Sequence, residues 1–106
     1  MIDSEAFLGS IKRIVKEKSP SAKVYLYGSR ARKVDINENS DWDILILLET
    51  KNVSRDDEKE ITSPLYDLEF DTGEIISPMV YSYTEWNTKY GMTPFYNNVM
   101  KEGKLL

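Results

Sequence analysis

The run Ile44-Leu45-Ile46-Leu47-Leu48, set directly behind Ser40-Asp41-Trp42-Asp43, restricts the possible folds of this chain more than any other feature. Successive side chains of a strand point to opposite faces of the sheet. An unbroken Ile/Leu run therefore needs apolar cover on both faces, as strands at the centre of α/β sheets have. The spacing predicts a strand over residues 41–48, placed centrally. The same alternation sends Asp41 and Asp43 to one side and Trp42 to the other, where it reads as core.

The remaining pattern supplies the covering layers. Phe7, Ile11, Ile14 and Val15 fall on one face of a helix over residues 4–18, with Lys12, Arg13, Lys16 and Glu17 opposite. Ser4 or Asp3 can cap its start, and Ser19-Pro20 ends it. Ala22 to Tyr27 reads as a short strand; Tyr25 and Tyr27 alternate with Val24 and Leu26, one face being exposed near the turn that follows. Gly28-Ser29 is that turn, with a short helix over Arg30 to Lys33. Asp35 to Ser40 is polar loop.

Ser54-Arg55-Asp56-Asp57 has capping-box spacing and opens a further helix, its acids Asp56, Asp57 and Glu58 complementing the helix N-terminus. Pro64 is expected to break or kink that helix, with Ser63 as a possible new cap. Leu65 and Leu68 continue a buried face towards Phe70, and Asp71-Thr72-Gly73 makes a turn. Glu74 to Tyr83 is the third strand, where Pro78 demands an edge position or a bulge. Thr84-Glu85-Trp86 opens a short helix stopped by Gly91, and Thr93-Pro94 starts a last one stopped by Gly103. Trp86, Tyr90, Phe95 and Tyr96 read as packing for these C-terminal helices. Helix and strand patterns alternate with short connections, which argues an α/β fold with a small central sheet flanked by helices. With 106 residues, a single domain over residues 1–106 is expected.

Composition removes several chemistries. The chain has neither Cys nor His, which excludes thiolate catalysis, Ser-His-Asp triads and Cys/His zinc sites within it. Any metal must be held by oxygen, which favours Mg²⁺, Mn²⁺ or Ca²⁺. The net charge of −4 argues against a general nucleic-acid-binding surface, although a nucleic-acid acceptor at a local Arg cluster stays open. No apolar run approaches the roughly 20 residues of a membrane span. Asp3 and Glu5 at the start are unlike a signal peptide, so a cytoplasmic setting is expected.

The chemistry-bearing residues are few. Asp41 and Asp43 are two parallel carboxylates, suited to a hard divalent cation that keeps bonds to water and substrate phosphate. Asp43 lies against the buried Ile/Leu run, where desolvation of a lone carboxylate is costly, so a partner is expected. Gly28 permits positive φ and close backbone approach, and Ser29 can open a helix whose N-terminus favours an anion. Arg30 and Arg32 can meet phosphate or an acidic partner, or can be solvated surface charges.

Taken in order, Gly28-Ser29-Arg30-Ala31-Arg32 and then Ser40-Asp41-Trp42-Asp43-Ile44 resemble the signature of the nucleotidyltransferase superfamily related to DNA polymerase beta, in particular its minimal bacterial and archaeal members. The resemblance spans about residues 24–48. It implies a mixed central sheet and transfer of a nucleoside monophosphate from an NTP, with ATP the expected donor, to an acceptor. It implies Mg²⁺ or Mn²⁺ as cofactor, held by Asp41 and Asp43, with Gly28 and Ser29 on the triphosphate; Arg30 and Arg32 stay candidates for it by their charge alone. Such proteins usually carry a third carboxylate on the following strand, acting as metal ligand and base. Here that strand reads Glu74-Ile75-Ile76-Ser77-Pro78-Met79-Val80, without a central acid. Glu74 is the nearest candidate for that catalytic role, or else a solvated turn residue after Gly73; Asp67, Glu69 and Asp71 precede the strand. The resemblance further implies a small helical partner protein of the HEPN toxin type, with this chain as antitoxin. A catalytically weakened nucleotide-binding or antitoxin module is the alternative reading, and a metal-dependent phosphohydrolase a third.

Overall fold

The computed structural model describes residues 3–32 and 40–106. Helix α1 (Ser4–Lys18) leads into strand β1 (Lys23–Tyr27) and the single-turn helix α2 (Ser29–Arg32). Strand β2 (Trp42–Leu48), helix α3 (Arg55–Thr72) and strand β3 (Ile76–Ser82) follow. Helices α4 (Tyr83–Thr88) and α5 (Pro94–Glu102) and a two-residue strand β4 (Lys104–Leu105) complete the order. The loop expected over residues 35–40 lies, Ser40 apart, outside the described residues, as does Lys33 at the end of the short helix.

The sheet order is β3-β2-β1-β4. Strands β2 and β3 are parallel, joined through α3, whereas β1 is antiparallel to both of its neighbours. The Ile/Leu run therefore has a strand on each side. Its two faces carry two clusters. Val24, Leu26, Trp42, Ile44, Ile46, Leu48 and Ile76 pack under Phe7, Ile11 and Val15 of α1 and Ile61 and Leu65 of α3. Leu45 and Leu47, on the opposite face, pack with Trp86 and Val99, ringed by Tyr25, Tyr27, Tyr81, Tyr90, Phe95 and Tyr96. Trp42 joins the first cluster, its ring centroid 4.8 Å from that of Phe7.

Caps fall where short polar side chains precede the helices. Asp3 caps α1 by accepting from the Glu5 and Ala6 N–H groups, Ser54 and Asp57 form the reciprocal box at α3, and Thr93 accepts from the Tyr96 N–H with Pro94 behind it.

Four expectations are corrected. Pro64 neither breaks nor restarts α3, which is continuous from Arg55 to Thr72. Ile61 and Leu65 anchor its inner face on the sheet, while the Glu60 carbonyl that loses its donor belongs to an exposed residue. Phe70 does not extend the buried face: two positions past Leu68 it turns to the far side of the helix and stands 90 % exposed. The turn expected at residues 71–73 is the end of the helix itself, closed by Gly73 in the left-handed region at φ 76. The third strand is shorter than expected, because Ser82 caps α4 through the Glu85 N–H and Tyr83 is already helical. Strand β4 carries no period of its own, being two residues that Gly103 releases from α5 onto β1, opposite Tyr25 and Leu26. Pro78 does sit on an edge strand.

Candidate active site

Strand β1 ends at Tyr27, whose cross-strand partner is Asp43. The chain must turn sharply here, and Gly28 does so at φ 77. A Cβ on Gly28 would collide with Asp43 Oδ2 and lie 3.1 Å from its Cγ. The glycine is thus required twice, for its backbone conformation and for the space that the Asp43 carboxylate fills. Helix α2 starts at the next residue. The Ala31 and Arg32 amides both bond the Gly28 carbonyl at 3.1 Å, leaving those of Ser29 and Arg30 as first-turn donors without a partner among the described residues.

Asp41, one residue before β2, and Asp43 lie close enough for the Asp41 charge to act on the Asp43 carboxyl. Asp41 is exposed and Asp43 half-buried. Burial pushes the Asp43 carboxyl up from its ordinary range; repulsion from Asp41 adds to this, and Arg32 opposes it. Burial, then the Asp43 charge, then Tyr81, raise the Tyr27 phenol to about 12, so it stays neutral beside the carboxylate.

The two arginines have separate surroundings. Arg30 donates from Nε and Nη2 to the Ser40 carbonyl at 3.0 and 2.8 Å, and its guanidinium lies 3.9 Å from the centroid of the Trp42 ring. It clasps the chain entering β2 to the core indole. Arg32 pairs with Glu102 of α5 at 3.3 Å, both side chains well exposed, and its charge reaches Asp43.

Glu74 stands with Trp42: its Oε1 accepts from the indole Nε1 at 3.4 Å. Trp42 alternates with Asp41 and Asp43, so this bond holds Glu74 away from the aspartates. Glu69 is likewise engaged, accepting from the Ile76 N–H at 2.8 Å. Among the described residues no three acidic side chains gather in a way that would cage a metal ion. Opposite Asp43 in the parallel register is Ser77, whose Oγ donates to Asp41 Oδ2 at 3.0 Å. Sequence reasoning missed Ser77. Its signal was the register itself: with β2 and β3 parallel and adjacent, some side chain of β3 must share the aspartates' face.

The arrangement brings together two carboxylates, a serine hydroxyl, two first-turn amides and one cationic side chain. All its donors to a cation are hard oxygens. Two like charges held close attract a divalent cation, and the amides beside them suit an anion.

Comparison with known proteins bears on the family and the fold. The profile of the family described as "Polymerase beta, Nucleotidyltransferase" matches residues 9–106. No curated protein matches the sequence. Among solved structures, the crystal structure of a toxin–antitoxin with AMP-PNP superposes with a TM-score of 0.64 at 18 % identity, over 92 % of this chain and 69 % of that one. A mutant MntA-HpeT toxin–antitoxin gives 0.63 at 17 % identity, over 100 % and 72 %. At such identities these likenesses are ones of fold. The family match extends from α1 to the C-terminal strand, and the chain belongs to the polymerase beta nucleotidyltransferase family.

Proposed function

We propose that this chain binds a nucleoside triphosphate with a divalent cation and transfers the nucleoside monophosphate to an acceptor. The observation that carries this reading is the seating of Asp43 in the space left by Gly28, at the point where α2 begins. In this reading the Asp43 carboxylate holds the cation and the donors at the start of α2 hold the phosphates beside it.

The oxygen-only donor set fits Mg²⁺ or Mn²⁺, which Asp41 and Asp43 would hold. When bound, such an ion neutralises charge on the triphosphate as pyrophosphate leaves. The Ser29 hydroxyl and the Ser29 and Arg30 amides hold the phosphates, and Gly28 lets them approach. Arg32 contributes positive charge at the rim. Arg30 acts by fixing the Ser40 carbonyl and the Trp42 ring. A catalytic role for Glu74 requires its release from the Trp42 indole. ATP is the proposed donor, supported by the AMP-PNP in a solved structure of similar fold. A cytoplasmic setting is proposed; among the described residues no helix is long and apolar enough to cross a membrane.

The test is incubation of α-labelled ATP and Mg²⁺ with candidate acceptors, comparing the wild type with Asp43→Asn. Label transfer by the wild type alone is expected. Equal background from both would refute the transferase reading.

A second reading is favoured by Phe70 and Tyr66, one turn apart on α3 and 90 % and 50 % exposed. They offer an apolar face to a partner protein, and the similar folds come from toxin–antitoxin crystals. In this reading the chain acts as an antitoxin on a small helical partner of the HEPN type, with nucleotide binding and weakened transfer. Metal-dependent nucleotide binding with no label transfer would favour it.

A further inference from the structure

Ser77 of β3 bonds one of the aspartates, and the readings above leave it without a role. It lies opposite Asp43 in the parallel register and donates to Asp41 Oδ2 at 3.0 Å. Ser77 is half-buried within a ladder, whereas Asp41 precedes β2 and is exposed. An exposed carboxylate at a strand entrance samples several rotamers unless something holds it, and here the hydroxyl of a neighbouring strand does so.

We infer that Ser77 is the positioning residue for Asp41 and that a hydroxyl at this place limits the site to a single divalent cation. The inference rests on the proposed metal–nucleotide site and deepens it.

The argument is one of charge and donor chemistry. Asp41 and Asp43 together carry two negative charges, enough to neutralise one divalent ion. The nucleotide phosphates complete the shell of that ion, and a second ion anchored by the protein as well would need a further protein carboxylate. Among the described residues three positions could supply it, and the structure commits each elsewhere: Glu74 bonds the Trp42 indole, Glu69 bonds the Ile76 N–H, and the position facing Asp43 holds a neutral hydroxyl. A serine hydroxyl keeps its proton and gives it to Asp41 Oδ2, leaving Oδ1 and the Asp43 carboxylate to face an ion. Its effect is to orient a ligand, as the outer partners of metal ligands do, and removal of such partners costs roughly tenfold or more in metal affinity.

The test is Mn²⁺ titration of the full chain, alone and with a non-hydrolysable ATP analogue, read by loss of the free-ion EPR signal, with thermal unfolding of each apo variant alongside. The wild type should bind one Mn²⁺ per chain. Ser77→Ala should weaken that binding about tenfold while the apo melting temperature hardly changes, and Ser77→Thr should restore it. Ser77→Asp should bind the first ion at least tenfold more tightly and take up a second with the nucleotide analogue.

Two Mn²⁺ bound by the wild type, or unchanged affinity in Ser77→Ala, would overturn the inference while leaving the metal site standing. Failure of a folded Ser77→Asp to gain affinity or a second ion would do the same. No Mn²⁺ bound by the wild type under any condition would remove the metal–nucleotide reading and this inference with it.

Discussion

Replacing Gly28 with alanine tests two properties of the turn at once, and a second substitution separates them. At φ 77 an L-residue costs about 1–2 kcal/mol relative to glycine. The new Cβ would also collide with Asp43 Oδ2 and sit 3.1 Å from Cγ. The obstructing atoms are the end of a side chain, so the carboxylate can swing aside, at roughly 1 kcal/mol for an unfavourable rotamer. The total is about 2–3 kcal/mol. At about 2.1 cal/mol/K per residue over 106 residues, this lowers the melting temperature by roughly 10 °C. In an Asp43→Ala background the nearest remaining atom is the residue-43 Cβ at 3.4 Å, an ordinary contact. There only the backbone cost of about 1–2 kcal/mol should persist. Urea unfolding of the wild type, both single variants and the double variant closes the cycle, with an expected coupling of roughly 1 kcal/mol. Equal costs of Gly28→Ala in the two backgrounds would refute the collision. A total cost under about 0.5 kcal/mol would refute the left-handed turn.

Other perturbations have equally definite outcomes. The Asp43 carboxyl is raised by folding, so its contribution is most favourable below the ordinary carboxylate range and is lost as pH rises through its folded pKa. Asp43→Asn should therefore raise apo stability at neutral pH, with the gain fading on acidification, and should abolish any Mg²⁺-induced rise in melting temperature; a Mg²⁺ response that survives in the variant would refute the site. Tyr27 is raised to about 12 from an ordinary 10, so its contribution is intact below pH 10 and disappears as pH climbs through about 12. Tyr27→Phe should flatten that part of the alkaline unfolding profile. Arg30→Ala removes the paired bonds to Ser40 and the contact with Trp42, at about 2 kcal/mol by chemical unfolding, and Arg30→Lys should not restore it. Arg32→Ala should cost under about 1 kcal/mol, because its pair with Glu102 is exposed.

The parts of the fold written in local chemistry were legible in the sequence. The period of α1, the box at Ser54 and Asp57, Pro94 behind Thr93 and the buried run of β2 each depend on residues within one or two turns of one another. So did the pairing of Gly28 with the aspartates' region, since the strand that ends at the turn and the strand that begins at the aspartates are adjacent in sequence. Features that depend on distant partners were not legible. Pro64 is tolerated because the sheet holds the other side of α3. Strand β4 exists because β1 has a free edge for two residues to occupy. The contacts of Arg30 and of Glu74 with the Trp42 indole likewise join residues far apart in the chain. Ser77 is an unremarkable strand serine in sequence, and only the parallel register of β2 and β3 brings it to Asp41.

The edge strand has a consequence for how copies of this protein meet. Ile75 gives its carbonyl to the Trp42 N–H at 2.8 Å, so the next amide, that of Ile76, points outward, where the Glu69 carboxylate takes it. Two residues on, the outward position is Pro78, which has no N–H to give. The first half of this edge therefore offers no donor to an incoming strand, and the half-buried run behind it cannot be extended by another chain in register. Strand β4 closes the opposite side with only two residues. Self-templated growth of the sheet is hindered over the first half of one edge and has only two residues to extend at the other.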